Sequence, residues 1–502
     1  MPGPDLVPHR RGGIRVRRPL GSPLVRAPTE RSVRALPALT RHPHSGPGAR
    51  RRGPLSSCAA PLLSVAALLS VAALSAPASA NGRFPAAGLI ASHPSDPSRL
   101  MVRATYGLLA THDGGERWRW ICEPVVGFGG NEDPMLAFLA DGTIIAGVFD
   151  GLSASKNGGC DWSFAQGDLM NRYVIDLSAD REDPSRAVLV VSAGLGAGQF
   201  LTQLWETSDN ADSWTKAGVD LPGDFLAHTV DAAPSDRARV YVSGRYGAPD
   251  YAGALQRTDD RGATWERLDI PGSDDMRLPF LGAIDPVDPD IVYVRLDGDP
   301  TDALLVSKDG GRSFTTAFES AGDLLGFALS PDGATVIVGG PQDGIWRAPA
   351  ASLEFEKISD VGARCLTWTT AALFACGDEF TDGFTVGRSI DDGESFSALL
   401  HLDGLCGPIE CAPESGATST CAPLWGATAL TIGSQQCDGA GATGSGGGGS
   451  EPPPAEASDG CGCKIGAAGA GRGEDAAPPA SGAIGFALAA GLASARRRRR
   501  AR

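Results

Sequence analysis

Between residues 85 and 400 no segment shows sustained helical periodicity, which excludes a helical bundle or a mixed α/β core for that stretch. Tyrosine is scarce: the chain of 502 residues has six, and none stands in a recognisable nucleophile context. Long apolar runs are scarce: Pro61 to Leu74 (PLLSVAALLSVAAL) is too short for a comfortable membrane span and is broken by serine. Positive charge is missing from the body of the chain. Residues 1–80 carry a net +10 and residues 481–502 a net +6, so a total of −15 leaves −31 for residues 81–480. An acidic body of that size excludes nucleic-acid binding, which needs a basic footprint.

What the chain has instead is one eight-residue phrase, six times over: Ser/Thr, any residue, Asp/Asn, any residue, Gly, two variable residues, Trp/Phe. It reads THDGGERW from Thr111, SKNGGCDW from Ser155, TSDNADSW from Thr207 (with Ala211 for Gly), TDDRGATW from Thr258, SKDGGRSF from Ser307 and SIDDGESF from Ser389. Successive copies start 44, 52, 51, 49 and 82 residues apart. The last gap is nearly two periods and holds a unit without the phrase, around Gly344, Ile345 and Trp346. Seven units of this length suit the four short strands of a propeller blade. Within a unit, short β-branched and aromatic runs alternate with Gly/Asp/Pro turns, as in LGAID, PVDPD and IVYVRL from Leu281.

The residue types of the phrase point to mechanics. Asp113, Asn157, Asp209, Asp260, Asp309 and Asp391 are expected to accept backbone N–H groups across a turn, and the Gly to supply a positive φ. Trp118, Trp162, Trp214, Trp265, Phe314 and Phe396 are expected to open the outer strand and pack between blades. These phrases resemble Asp-box, or BNR, repeats, found in sialidases, sortilin-like ectodomains, some glycoside hydrolases and photosystem assembly factors. The resemblance covers about residues 85–400 and implies an all-β, seven-bladed propeller over residues 81–402. It leaves activity open, because those families differ in function.

The ends address the chain. Residues 1–49 are Arg- and Pro-rich and read as a basic extension, with a start codon placed too early as the expected explanation. Residues 50–80 read as a secretory signal: Arg50 to Arg52, the apolar run, and Ala78-Ser79-Ala80 as a signal-peptidase site after Ala80. A Gly/Pro linker spans 441–458. Residues 459–502 hold Cys461 and Cys463, the apolar run Ala480 to Ala495 and Arg496 to Arg500; this order resembles the myxobacterial C-terminal sorting tail. That resemblance implies cleavage by a sorting protease and display at the surface of a bacterium, anchored through the tail.

Eight cysteines remain in the exported body, which suits disulfides. Cys365 and Cys376 flank a hairpin and are expected to pair; Cys122 and Cys160 form a second candidate pair. Cys406, Cys411, Cys421 and Cys437 are expected to form two bridges inside a small Gly/Pro-rich module over 403–440, with three connectivities open. Their spacing lacks the pattern of a zinc site.

No supported catalytic pair emerges, so no catalytic residue, cofactor or metal is assigned. Glycine-82 to proline-85 (GRFP) departs from the Phe/Tyr-Arg-Ile-Pro phrase of sialidases. Binding is expected instead in the variable loops joining second and third strands. Arg245, Tyr246, Asp250 and Tyr251 join a cation to two aromatics, a combination suited to peptide or sugar. Asp297, Asp299 and Asp302 offer hard oxygens without the remainder of a calcium loop. Asp378, Glu379 and Asp382 complete the candidates. The resulting expectation is a monomeric, non-catalytic binding or scaffold module for an extracellular glycan or protein, with a carbohydrate-active enzyme as the alternative.

Overall fold

In each repeated phrase the first hydroxyl donates to the oxygen of the third residue and accepts the N–H of the fifth. Thr111 Oγ1 lies 2.8 Å from Asp113 Oδ1, and the N–H of Gly115 reaches Thr111 Oγ1 at 3.0 Å. Asp113 Oδ1 in turn accepts the N–H of Arg117 at 3.0 Å. The same arrangement recurs at Ser155, Thr207, Thr258, Ser307 and Ser389. It closes a turn in which two successive residues take positive φ, such as Gly114 at 77° and Gly115 at 100°. In blades 1 and 2 the fifth position favours glycine for a second reason, although blade 3 carries Ala211 there at φ 65°. A Cβ on Gly115 would stand 2.5 Å from Leu399 Cδ1, and one on Gly159 2.5 Å from Ile121 Cδ1, both in the preceding blade. Hydrogen bonds from serine hydroxyl and backbone hold Asp309 and Asp391 down to about 2, so these turns stay charged and closed at any physiological pH.

The computed structural model describes residues 83–434, and the basic extension, signal segment, linker, tail and Cys437 lie outside the described residues. Seven sheets of four antiparallel strands follow one another: residues 87–121, 135–164, 174–217, 225–269, 278–319, 326–359 and 365–400. We number them blades 1 to 7. Each first strand neighbours the first strands of the adjacent blades, and that of blade 7 neighbours that of blade 1, so the sheets form a closed ring. This is the expected seven-bladed, all-β propeller.

The apolar core lies between blades. Val190 and Leu204 of blade 3 join Val230 and Val242 of blade 4 in one cluster, against which Trp265 packs. Phe314 packs on the cluster shared by blades 4 and 5, and Phe396 on that of blades 6 and 7. Each phrase aromatic therefore covers the preceding blade; Trp118 is buried there and the other five partly so, where full burial of a large apolar side chain stabilises by about 1.5–3 kcal/mol. Blade 6 lacks the phrase but keeps the aromatic: Phe355 precedes its outer strand Glu356–Ser359 and lies 5.1 Å from Phe318 of blade 5.

Hydrogen bonds stitch the inner strands. Asp176 Oδ2 in blade 3 accepts the Val230 N–H of blade 4 at 2.7 Å, and Thr229 Oγ1 accepts the Leu281 N–H of blade 5 at 2.8 Å. Across the seam, Thr367 of blade 7 donates to the Ile90 carbonyl of blade 1 at 2.9 Å. The largest continuous cluster also crosses this seam, joining Phe374 and Leu400 to Leu100, Leu108 and Trp118.

The C-terminal cysteines correct the expected pairing. Cys365 and Cys376 do pair, directly opposite each other in the hairpin register. Cys122, however, pairs with Cys421, and Cys160 with Cys411, with Cα–Cα separations of 5.3 and 5.7 Å. Cys122 does not pair with Cys160, and Cys411 and Cys421 do not bridge within a separate module; Cys406 is also disulfide-bonded. The cause is a return of the chain onto blade 1. Strand Leu405–Pro408 runs parallel to Trp118–Ile121 as a fifth strand, carrying the segment past both cysteines. A helix, Gly416–Ile432, follows, capped by Ser415 at one end and by Gly433 (φ 70°) at the other. Its Trp425 meets Trp120 at 5.7 Å. These residues form a clasp over the closure of the ring. Bridges of this kind persist in oxidising compartments, and no helix among the described residues is long and apolar enough to cross a membrane.

Two outcomes are expected. Replacing the Cys122–Cys421 pair with serines should lower the unfolding free energy in urea by about 5 kcal/mol, against about 3 for the local Cys365–Cys376 pair; equal losses would contradict a closing role. Burial drives the Asp176 carboxyl up to about 7. Its protonated form is favoured in the fold, so its contribution is full below the ordinary value of 3.8 and is lost as pH rises to about 7. Asp176→Asn, which keeps an acceptor for Val230, should remove a decline of about 4 kcal/mol across that window.

Candidate functional site

Strand order divides the ring into two faces. The repeated turns and the first-to-second-strand turns share one, and are bonded to each other, as in Gly114 N–H to the Ser98 carbonyl at 2.9 Å and Gly310 N–H to Asp290 at 2.8 Å. Second-to-third-strand loops and the crossings between blades share the other. All the candidate binding residues fall on this loop face, in blades 4, 5 and 7.

Most of them are occupied in building loops. Tyr246 is buried, its hydroxyl accepts from Gln256 Nε2 at 2.6 Å, and the Arg267 guanidinium lies 3.8 Å over its ring. Asp250 holds that guanidinium at 2.9 Å. Asp302 accepts the N–H groups of Gly298 and Leu324, both at 2.9 Å, tying its loop to the edge of blade 6. Asp378 caps Phe380 and Thr381 and pairs with Arg364 at 3.1 Å. Asp382 accepts the N–H of Gly362 at 3.0 Å and that of Asp378 at 2.7 Å. Glu379 holds Thr385, His401 and the Leu402 N–H at 2.7, 2.9 and 3.0 Å. Asp297 lies 3.4 Å from Arg295. Arg245, Tyr251 and Asp299 reach the surface or its edge without such ties among the described residues.

Sequence reasoning missed two aromatic pairs of the same face. Phe149 and Asp150 form the whole loop between strands Ile144–Val148 and Gly151–Ser155. Phe149 is 48 % exposed, and its ring stacks on Tyr173 at 4.4 Å and 18°. Beneath them Glu132 is buried, and its carboxylate accepts the Phe149 N–H. Burial, with Asp150 and Asp133 adding repulsion, pushes the Glu132 carboxyl up to about 7. Burial and Glu132 together push Tyr173 up to about 12. A second aromatic pair, Phe84 and Phe380, meets edge to face at 6.0 Å, with Phe380 74 % exposed. One signal was available: two-residue hairpin turns favour Asn, Asp and Gly, so a phenylalanine there is out of place.

The distribution of exposed apolar groups favours the loop face. Phe149, Met170, Leu195, Tyr251, Met276 and Phe380 all belong to its loops and crossings. Val287 and Ile390 are exposed on the repeated-turn face, Val219 beside the repeated turn of blade 4, and Leu424 and Leu430 on the clasp helix.

No family model matches the sequence, and no curated protein matches it. Several solved structures are similar in fold. An ancestral GH74 enzyme shares 14 % identity with a TM-score of 0.48, over 63 % of this chain and 46 % of that one. The GH74 xyloglucanase from Xanthomonas campestris shares 18 % with a TM-score of 0.34, over 66 % and 57 %. YCF48 bound to D1 peptide shares 16 % with a TM-score of 0.36, over 52 % and 80 %. The chain thus spans about half the length of the GH74 enzymes it matches. These likenesses concern the fold alone.

Proposed function

We propose that this protein is an exported propeller, displayed at a bacterial surface through its C-terminal tail, that binds an extracellular glycan or peptide on its loop face without transforming it. The stacked Phe149–Tyr173 pair carries the reading: a half-exposed, rigidly backed aromatic plane is suited to the apolar face of a sugar ring or to a peptide side chain. The three described disulfides support an oxidising compartment. The polar groups that sequence placed on this face serve chiefly to hold the loops still, and preorganised loops bind at lower entropic cost.

One observation favours the second reading, carbohydrate hydrolysis. Glu132, held protonated near neutrality beside an aromatic plane, has the character of a general acid. Binding to glycan and peptide arrays, followed by titration of the best ligand, separates the two. Phe149→Ala should weaken binding about tenfold or more, while Ile390→Ser, on the opposite face, should leave it unchanged; the reverse result would overturn the assignment. Turnover of a glycan that disappears in Glu132→Gln would replace binding with hydrolysis.

A further inference from the structure

The repeated-turn face holds a groove of about 570 Å³ where blades 1 and 2 meet the clasp. That volume lies within the range of small-ligand pockets. Its walls come from the first-to-second-strand turns of both blades, from both repeated turns, and from Ile409 and Glu410 of the clasp. The C-terminal segment, by returning to blade 1, supplies one of its walls.

Its lining runs against the charge of the protein. Arg99, Arg117, Arg119 and Lys156 face three carboxylates, Asp113, Asp141 and Glu410, in an acidic chain. Those carboxylates have internal partners. Asp113 holds the Thr111 hydroxyl and the Arg117 N–H, Asp141 accepts the Thr143 N–H at 2.9 Å, and Glu410 pairs with Arg119. Lys156 is paired outside the groove with Asp212 at 2.5 Å. Two cations are left to face a ligand. The Arg99 guanidinium has no carboxylate at ion-pair distance among the described residues and is steadied by the Phe138 ring at 5.8 Å. Gly142 makes room for it: a Cβ there would stand 2.6 Å from an Arg99 terminal nitrogen. Arg117 has a side chain 70 % exposed and only a 3.5 Å contact to Asp113.

We propose that this groove binds a small sulfated or carboxylated ligand, its anionic groups received by Arg99 and Arg117. Guanidinium groups suit such anions because their planar donors match the oxyanion in two parallel hydrogen bonds. The inference is independent of the loop-face reading, since it uses other residues on the opposite face.

Calorimetric titration of the full chain with a sulfated disaccharide, and with the same disaccharide lacking sulfate, tests it. The sulfated sugar should bind at one site and weaken as salt rises, and the neutral one should bind at least tenfold more weakly. Arg99→Gln should cost about tenfold or more in affinity. Arg117→Gln should cost severalfold; it removes a mostly exposed side chain, so a folding defect in the first variant would not decide the matter alone. Phe149→Ala should bind the sulfated sugar normally. Equal affinity for both sugars, full affinity in both arginine variants, or loss of binding in Phe149→Ala would each overturn the proposal.

Discussion

A single hydroxyl placed between a side-chain oxygen and a backbone N–H is the contact on which this fold depends. Six times a Ser or Thr bridges to the Asp or Asn two residues on and to the amide four residues on. That bridge fixes two successive residues at positive φ, which ordinary side chains resist. The turn then delivers an aromatic at the head of the outer strand, against the blade before it. Local hydrogen bonding and long-range packing are therefore set by the same eight residues. A blade cannot close its turn without also presenting the group that covers its neighbour.

A ring built this way has one weak place, the seam where the last blade meets the first. Here every blade draws all four strands from one continuous stretch, so no strand exchange closes the circle. Closure rests on packing, on the Thr367 bond to Ile90, and on the clasp. The fifth strand and two disulfides anchor residues 405–421 to blades 1 and 2. The frame has two unlike faces: repeated turns are stiff and well bonded, whereas the opposite loops vary and expose aromatics. The clasp also adds a third wall beside two of the stiff turns.

What the sequence made legible follows from the range of each interaction. The phrase, its period and the hairpin pair Cys365–Cys376 are local, and each appears in the structure where spacing placed it. Blade 6 was legible from a gap, and its Phe355 keeps the packing role without the turn. The clasp was not legible, because Cys122 and Cys421 are 299 residues apart and nothing nearby in either segment specifies the other. The helix Gly416–Ile432 was hidden by its composition, with Gly, Thr and an internal Pro423. On the loop face, acid spacing drew attention to Asp302, Asp378 and Asp382, whose oxygens cap backbone N–H groups. Phe149 passed as one more apolar residue because exposure is decided by neighbours, not by identity.

Amide hydrogen exchange at single-residue resolution addresses the founding contact most directly. The N–H groups of Arg117, Asp161, Ser213, Thr264, Ser313 and Ser395, all in exposed turns, are bonded to the phrase carboxylate or amide oxygen. They should exchange as slowly as the strands beside them, and Asp309→Ala should release Ser313 while leaving the other five protected. Exchange of all six at the rate of ordinary surface loops would contradict a mechanical role for the phrase.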